Sequence, residues 1–592
     1  MARRTCLLLF AAFAIPTAFQ AQNDIPKTKF PPVRGLNEMV AAANNLEVEA
    51  GMRILSQGGN AVDAGVAATL TAAVTEQSRI GLGGEIPILI KMKGQPVVAI
   101  SGVGVAPAMA TPEFFANRPA QPWERPQRLQ PIPAFGPQGA LTPGLFDGLL
   151  LALEKYGKLS FAQVAAPAIE HAAGFPIGEE FAGFLRDLEG IHGLLPTSRE
   201  FFYPNNTLVK AGEIMRMPAL RRTLQEMAAA EKSAHGNRAA KIRAVHDIFY
   251  KGSIARRIAA FSEANGGLLR YDDLANFHAT IDEPRSTTYR GFTVYKPGFW
   301  TQGPVMLEML NLLEGYDLRA MGRNSPTYLH TVIEAAKLAF ADRDRFYGDP
   351  KFSKIPEAIL LSKDYAADRR KLIGEMGSLE SRPGEMNFSA AMVSGDGVSK
   401  DSDTTCVNVV DRDGNAFSAT PSGAWIPSVI AGDTGVPLSV RMESFVLTPG
   451  HANQLAPGKR PRVTLSPTIV TRGDDLYMVM STPGGDNQDQ ALLQVLLNII
   501  DFNLLPQDAV EAPRFQSNHY YNSFGFHEFT PGRVNIEGRI PTATMQWLAD
   551  HGHLVVPSED WSNTSAPTVI LRKDGVLHGG ADPRRARYVF GR

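Results

Sequence analysis

The sequence predicts a mixed α/β (α+β) protein of enzyme size, and three observations predict it. The chain is 592 residues long and 44% hydrophobic, enough for a large buried core. Before about residue 375 the dominant patterns are alanine-rich and amphipathic helices. After Thr404 the texture turns strand-rich, with alternating apolar positions and turn signals. A formal net charge of −1 supplies no global field for nucleic acid or an anionic membrane.

The elements follow in order. Residues 1–21 read as a secretory signal: Arg3 and Arg4 give a basic start, Cys6 to Ala14 a short apolar core, Ala18 and Ala21 cleavage positions. The run is too short for a membrane span, so the expected location is secreted or periplasmic. With Cys6 removed, Cys406 would stand alone, which excludes an intramolecular disulfide; Cys406 reads as a buried strand thiol filling space, with a second nucleophile as the alternative. Residues 38–77 predict two helices broken at Gly58-Gly59. A glycine-bearing loop, Ser78 to Glu85, leads into one strand, Ile88 to Ile100. Its Gly81-Leu82-Gly83-Gly84 lacks the lysine and spacing of a phosphate loop. Pro119 to Pro137 must be an extended rim. Residues 145–290 alternate amphipathic helices with short turns. Tyr328 to Tyr347 predicts a helix with Leu329, Val332, Ile333, Ala336 and Phe340 on one face, and His330 and Glu334 read as a pair on its surface. Residues 375–403 read as a linker. Thr464 to Thr471 and Leu476 to Ser481 predict strands, and Ala491 to Ile500 a helix. No paired-cysteine or HExxH pattern occurs, so no protein-ligated zinc is expected, and His551 and His553 around Gly552 read as turn chemistry.

The chemistry centres on Asp403-Thr404-Thr405-Cys406-Val407. The segment looks like a self-cleavage site that makes Thr404 an N-terminal residue, with a hydroxyl nucleophile and its own α-amine as base. An α-amine has a pKa of about 7.7–8.0, so a substantial fraction is the neutral base between about pH 7 and 8. Asp413-Gly414 signals a hairpin. With those two residues at the tip, Val410 faces Phe417, Asn408 faces Ala419, and Thr405 faces Ser422, leaving Ser422 beside Thr404. Further on, Ser481-Thr482-Pro483-Gly484-Gly485-Asp486 joins a strand to a helix. Two glycines there can aim backbone N–H groups at one point, as an oxyanion hole requires, or can simply make a tight turn.

Thr404-Thr405 with Val409-Val410-Asp411-Arg412-Asp413-Gly414-Asn415-Ala416 resembles the γ-glutamyltransferase (γ-glutamyltranspeptidase) family of N-terminal-nucleophile hydrolases. So do Gly58-Gly59-Asn60-Ala61-Val62-Asp63-Ala64, Pro143-Gly144, Ala341-Asp342-Arg343, Gly348-Asp349-Pro350, Lys459-Arg460-Pro461, Leu465-Ser466-Pro467-Thr468, Pro483-Gly484-Gly485, Ala512-Pro513-Arg514-Phe515 and Asp582-Pro583-Arg584. These motifs run collinearly from about residue 36 to the end. The resemblance implies a four-layer α-β-β-α sandwich made from a self-cleaved precursor. Cutting between Asp403 and Thr404 would give a large subunit, 22–403, and a small catalytic subunit, 404–592, held as a heterodimer. By motif, Thr404 is the nucleophile, Ser422 its supporting hydroxyl, Gly484 and Gly485 the oxyanion donors, and Thr464 and Ser444 stand at substrate-binding positions; Arg462 is added to the substrate-binding set as a candidate holder of a substrate carboxylate. The implied activity is hydrolysis or acyl transfer on γ-glutamyl compounds such as glutathione, or on a related small amide, through a threonyl acyl-enzyme. No metal or organic cofactor is expected.

The departures from the family pattern fall in the substrate pocket. Gly102-Val103-Gly104-Val105 stands where the resemblance expects a glutamyl-reading arginine, and Glu443-Ser444 where it expects an acidic pair. Ala424 and Val463 replace an asparagine and a serine, and Thr448 to Gly458 is short for a lid. A glutamyl head group carries a carboxylate and an ammonium, each needing a charged partner when enclosed. Thr420 to Trp425 and Pro483 to Gln490 look more like the branch containing oxamate-amidohydrolase-like proteins and acylases, and Arg79, Arg441 and Arg462 are alternative holders of a substrate carboxylate. An uncleaved, non-catalytic binding protein is the reading from another class.

Overall fold

The computed structural model describes residues 28–121, 124, 129–192, 194–385 and 404–592. The signal at 1–21 and Asp403 lie outside the described residues. Two seven-stranded sheets, every ladder in them antiparallel, form the middle of the molecule. One runs in spatial order Tyr588–Gly591, Met39–Ala42, Val407–Val410, Ala416–Ala419, Ile86–Lys91, Val97–Gly102 and Thr280–Asp282. The other runs Val33–Gly35, Val576–Ala581, Thr568–Lys573, Asp475–Ser481, Thr468–Arg472, Phe292–Lys296 and Arg285–Tyr289.

Strand alternation sorts the apolar side chains into layers. Met39, Ala41, Leu89, Val410 and Ala416 meet Ile469, Val479 and Ile570 between the sheets. Their neighbours Val40, Ala42, Val407, Val409 and Phe417 turn outward onto helices that include Asn45–Ser56 and Ala61–Thr75. On the opposite outer face Val470, Met478 and Val569 pack on helices Pro304–Leu313, Pro326–Phe346 and Gln488–Ile500. This is the α-β-β-α sandwich. Among the described residues no helix is long and apolar enough to cross a membrane.

Several sequence expectations are corrected. The single strand expected at 88–100 is two, Ile86–Lys91 and Val97–Gly102, joined by a turn at Gly94; the polar Lys93-Gly94-Gln95-Pro96 interruption between the two apolar stretches is where the chain folds back. The strand expected from Thr464 begins at Thr468. The His330–Glu334 pair is buried, not on the surface, because the helix Pro326–Phe346 is covered on both sides. Glu334 pairs with Lys337 at 2.7 Å and Arg382 at 2.9 Å. His553, read as turn chemistry, is buried with its Nε2 2.9 Å from His330 Nδ1.

The hairpin register also shifts by one residue. Val410 pairs with Ala416 and Asn408 with Ser418, so the loop is Asp411 to Asn415. The Asp411 carboxylate accepts from the Asp413 and Asn415 N–H groups, and this local bond selects the longer loop over the two-residue turn. As a result Thr404, not Thr405, lies opposite Ser422.

Candidate active site

Thr404 sits just before the central strand Val407–Val410, opposite Ser422, which follows the paired strand Ala416–Ala419. Both are buried, and their hydroxyl oxygens are 3.1 Å apart. Ser422 is pinned by its backbone: its N–H donates to the Glu85 carbonyl at 2.9 Å and its carbonyl accepts from the Glu85 N–H at 3.0 Å. Arg441 Nη2 donates to Ser422 Oγ at 2.9 Å. Arg441 Nε donates to the Glu85 carboxylate, forming a fully buried ion pair behind the two hydroxyls. The guanidinium is packed between Trp425 and Phe524, 4.6 and 5.2 Å from their ring centres. Gly423 takes φ +91°, and a Cβ there would sit 1.9 Å from a Glu85 carboxylate oxygen, so only glycine fits. Burial pushes the Glu85 carboxyl up against the opposing pull of Arg441.

The glycine pair leaves the other sheet at the same end of the sandwich. Cys406 Sγ lies 3.5 Å from Thr568 Oγ1, and Thr568 is the ladder partner of Ser481, three residues before Gly484. Gly484 has φ +120° and Gly485 φ +54°. Among the described residues neither N–H has an acceptor in the hydrogen-bond network. The loop is held from below. Asp486 accepts from Arg343 and from the Ser523 N–H, Gln488 accepts from the Ser466 N–H, and Asp489 pairs with buried Lys296 at 2.9 Å. The Ser523-Phe524 segment touches both halves of the centre, Ser523 through Asp486 and Phe524 through Arg441. A Cβ on Gly484 would lie 2.2 Å from Ser565 Oγ in a backbone conformation hostile to side chains. Gly484→Ala should therefore displace the loop and, with one oxyanion donor lost, lower kcat by about 10²–10³-fold with little change in KM; steady-state kinetics on the processed protein checks it.

The remaining candidates divide. Thr464 and Ser444 are buried, and their hydroxyls have no hydrogen-bond partner among the described residues. Arg462 is held by Asp344 at 3.3 Å and Ser523 Oγ at 2.9 Å, in a network with Arg343 and Asp486, leaving only Nε open. Most of its donor capacity therefore fixes the glycine loop. Arg79 is buried and paired with Glu180 and Glu76. Arg441 keeps its Nη1 nitrogen open, with no hydrogen-bond partner among the described residues. Sequence reading missed Glu85 altogether, since an isolated glutamate after a glycine loop carries no local signal of its partner 356 residues away. The cavity of about 860 Å³ lined by Arg290, Tyr316, Arg472 and Lys573 shares no residue with this centre.

Glu443, beside Ser444, is buried, and desolvation lifts its carboxyl to about 7 despite the charge of Arg441. A raised acid stabilises the fold most when protonated, so its contribution is full below pH 4.5 and is lost as pH climbs through about 7. Glu443→Gln should flatten that fall by roughly 3 kcal/mol, read from urea midpoints at about pH 5 and about pH 8.

A family model described as gamma-glutamyltranspeptidase matches residues 48–591. The glutathione hydrolase proenzyme of Escherichia coli (strain K12) is 32% identical over 97% of this chain and 95% of its own length. The acylase ACY 1 proenzyme of Pseudomonas sp. (strain SE83) is 31% identical, covering 93% and 92%. Among solved structures, the cephalosporin acylase from Bacillus halodurans superposes with a TM-score of 0.83 at 29% identity, over 97% of this chain and 99% of that one.

Proposed function

Since the chain belongs to the gamma-glutamyltranspeptidase family and is a self-processing hydrolase of that kind, we propose that Thr404 is the residue through which it both splits itself and cleaves amides. The observation that carries this is the buried Thr404–Ser422–Arg441–Glu85 chain at the same end of the sandwich as the glycine loop, whose Gly484 and Gly485 N–H groups have no acceptor among the described residues. In maturation Thr404 Oγ1 attacks the Asp403 carbonyl and the C–N bond breaks, which shifts the acyl group to an ester and frees the Thr404 amine with the hydroxyl proton; water then hydrolyses the ester, releasing the Asp403 carboxylate and restoring the Thr404 hydroxyl. The products are a large piece, 22–403, and a small piece, 404–592, which stay together because each of the two sheets hydrogen-bonds strands of one piece to strands of the other.

In turnover the Thr404 α-amine takes the hydroxyl proton as Oγ1 attacks the substrate carbonyl. Ser422, whose Oγ accepts from Arg441, offers its own proton to Thr404 Oγ1 and orients the attacking lone pair. Gly484 and Gly485 receive the developing oxyanion. The amine returns its proton to the leaving nitrogen, and water or an acceptor amine releases the acyl group. The unpaired hydroxyls of Thr464 and Ser444 support a role in holding substrate, because buried polar atoms without protein partners are rare.

The substrate reading taken from the relatives is a γ-glutamyl amide of the glutathione type. A second reading, an acylase for another small amide, is favoured by one observation: Ser444 is neutral, and Arg441, which bonds Ser422 beside Thr404, is already neutralised by Glu85. Export to the periplasm or outside the cell is part of the same proposal and rests on the leader-like residues 1–21. Mass spectrometry of the purified protein tests the split, with a new N-terminus at Thr404 expected. A panel of γ-glutamyl anilide, oxamate and acylated amines then separates the two substrate readings. Selective glutamyl turnover would remove the acylase reading.

A further inference from the structure

We propose that Asp147, His246 and His278 form a binding site for a divalent transition metal of the zinc class, separate from the Thr404 centre. The three side chains come from different elements: the helix Leu145–Tyr156, the helix Arg238–Tyr250 and the loop before strand Thr280–Asp282. One potential ligand atom from each lies within 4.8 Å of the others.

Two further observations point to a cation. First, His246 is more than nine-tenths buried, yet its Nε2 has no hydrogen-bond partner. That nitrogen faces Asp147 Oδ1 at 3.7 Å, beyond hydrogen-bond reach. Second, the other ring nitrogen, Nδ1, is 3.1 Å from the Asp247 carboxylate. Donation from Nδ1–H to that carboxylate holds the tautomer in which Nε2 carries a lone pair. A carboxylate–imidazole arrangement of this kind is the usual outer support of a metal-bound histidine. A lone pair and a carboxylate oxygen facing each other repel unless a positive centre lies between them.

The surroundings are built to keep these atoms in place. The second Asp147 oxygen accepts the Ala279 N–H at 2.6 Å, one residue from His278. Tyr250 stacks on the His246 ring at 4.8 Å, and its hydroxyl accepts from the Asp147 N–H while donating to the Pro143 carbonyl. His278 is the exposed member and stacks 5.2 Å from His246. Bonds of about 2.0–2.2 Å require the three donors to draw closer than they stand, and the exposed His278 is the side chain free to move. Two imidazoles and one carboxylate are a borderline donor set that suits Zn²⁺, Co²⁺ or Ni²⁺ over Ca²⁺ or Mg²⁺, with a fourth position left for water or an outside ligand.

The test is zinc titration of the processed protein by calorimetry, with bound metal counted by mass spectrometry after dialysis. About one equivalent per chain is expected. His278→Ala, an exposed loop change that leaves the core intact, should remove that equivalent, and Asp247→Asn should weaken binding about 10- to 100-fold through the lost outer support. The proposal is overturned if the parent protein binds no zinc, or if His278→Ala and His246→Gln bind it as tightly as the parent, which would put the metal elsewhere, for instance at His330 and His553.

Discussion

Thr404→Ala should leave the purified protein as one uncut chain with amide turnover reduced by about 10⁴-fold or more, against two fragments for the parent. The change removes one hydroxyl and one methyl group from a buried position, and Ser422 keeps its Arg441 donor and its backbone pairing with Glu85. The fold should therefore survive, and circular dichroism of the uncut chain checks that it does. Thr404→Ser restores a hydroxyl on the same backbone and should recover both the split and turnover at a lower rate. A Thr404→Ala protein that still splits would place the cut at another bond and remove the freed α-amine from the mechanism.

Arg441→Leu should destabilise the fold by about 3–5 kcal/mol, because it strands the buried Glu85 carboxylate without a cation. It also takes away the donor to Ser422 Oγ, so any processed protein should show lower kcat more than altered KM. The paired change Arg441→Leu with Glu85→Gln separates the two roles. With no buried charge left, most of the stability should return while kcat stays low. Recovery of kcat together with stability would show that the pair only holds the fold. Denaturant midpoints and single-turnover kinetics on the same three proteins give both readings.

How much of this was legible from residues alone depends on range. The α/β class, the helices at Tyr328–Tyr347 and after Gly485, and the Asp-Gly hairpin all follow from patterns within a few residues. Thr404 was legible because a threonine before a strand, preceded by a linker, is a local arrangement, and because the motifs around it resemble one family. The register of the hairpin was not legible. Two turn lengths suit the same residues, and the Asp411 side-chain bonds that choose between them shift Ser422 by one position, onto Thr404. Nor was the state of the arginines. Arg441, Arg462 and Arg79 look alike in sequence, yet one reaches Ser422, one braces the glycine loop and one pairs with acids elsewhere.

By itself the sequence determined the secondary-structure types, the family and the identity of the groups able to do chemistry, since each is written in short stretches of chain. Only the tertiary structure decided which groups meet. Glu85 joins Arg441 across 356 residues, and Asp147 joins His246 and His278 from separate elements. The physical reason is that burial removes water as a partner. Each charge or lone pair must then be answered by whatever the fold brings beside it, and neighbours in space carry no mark in neighbouring letters.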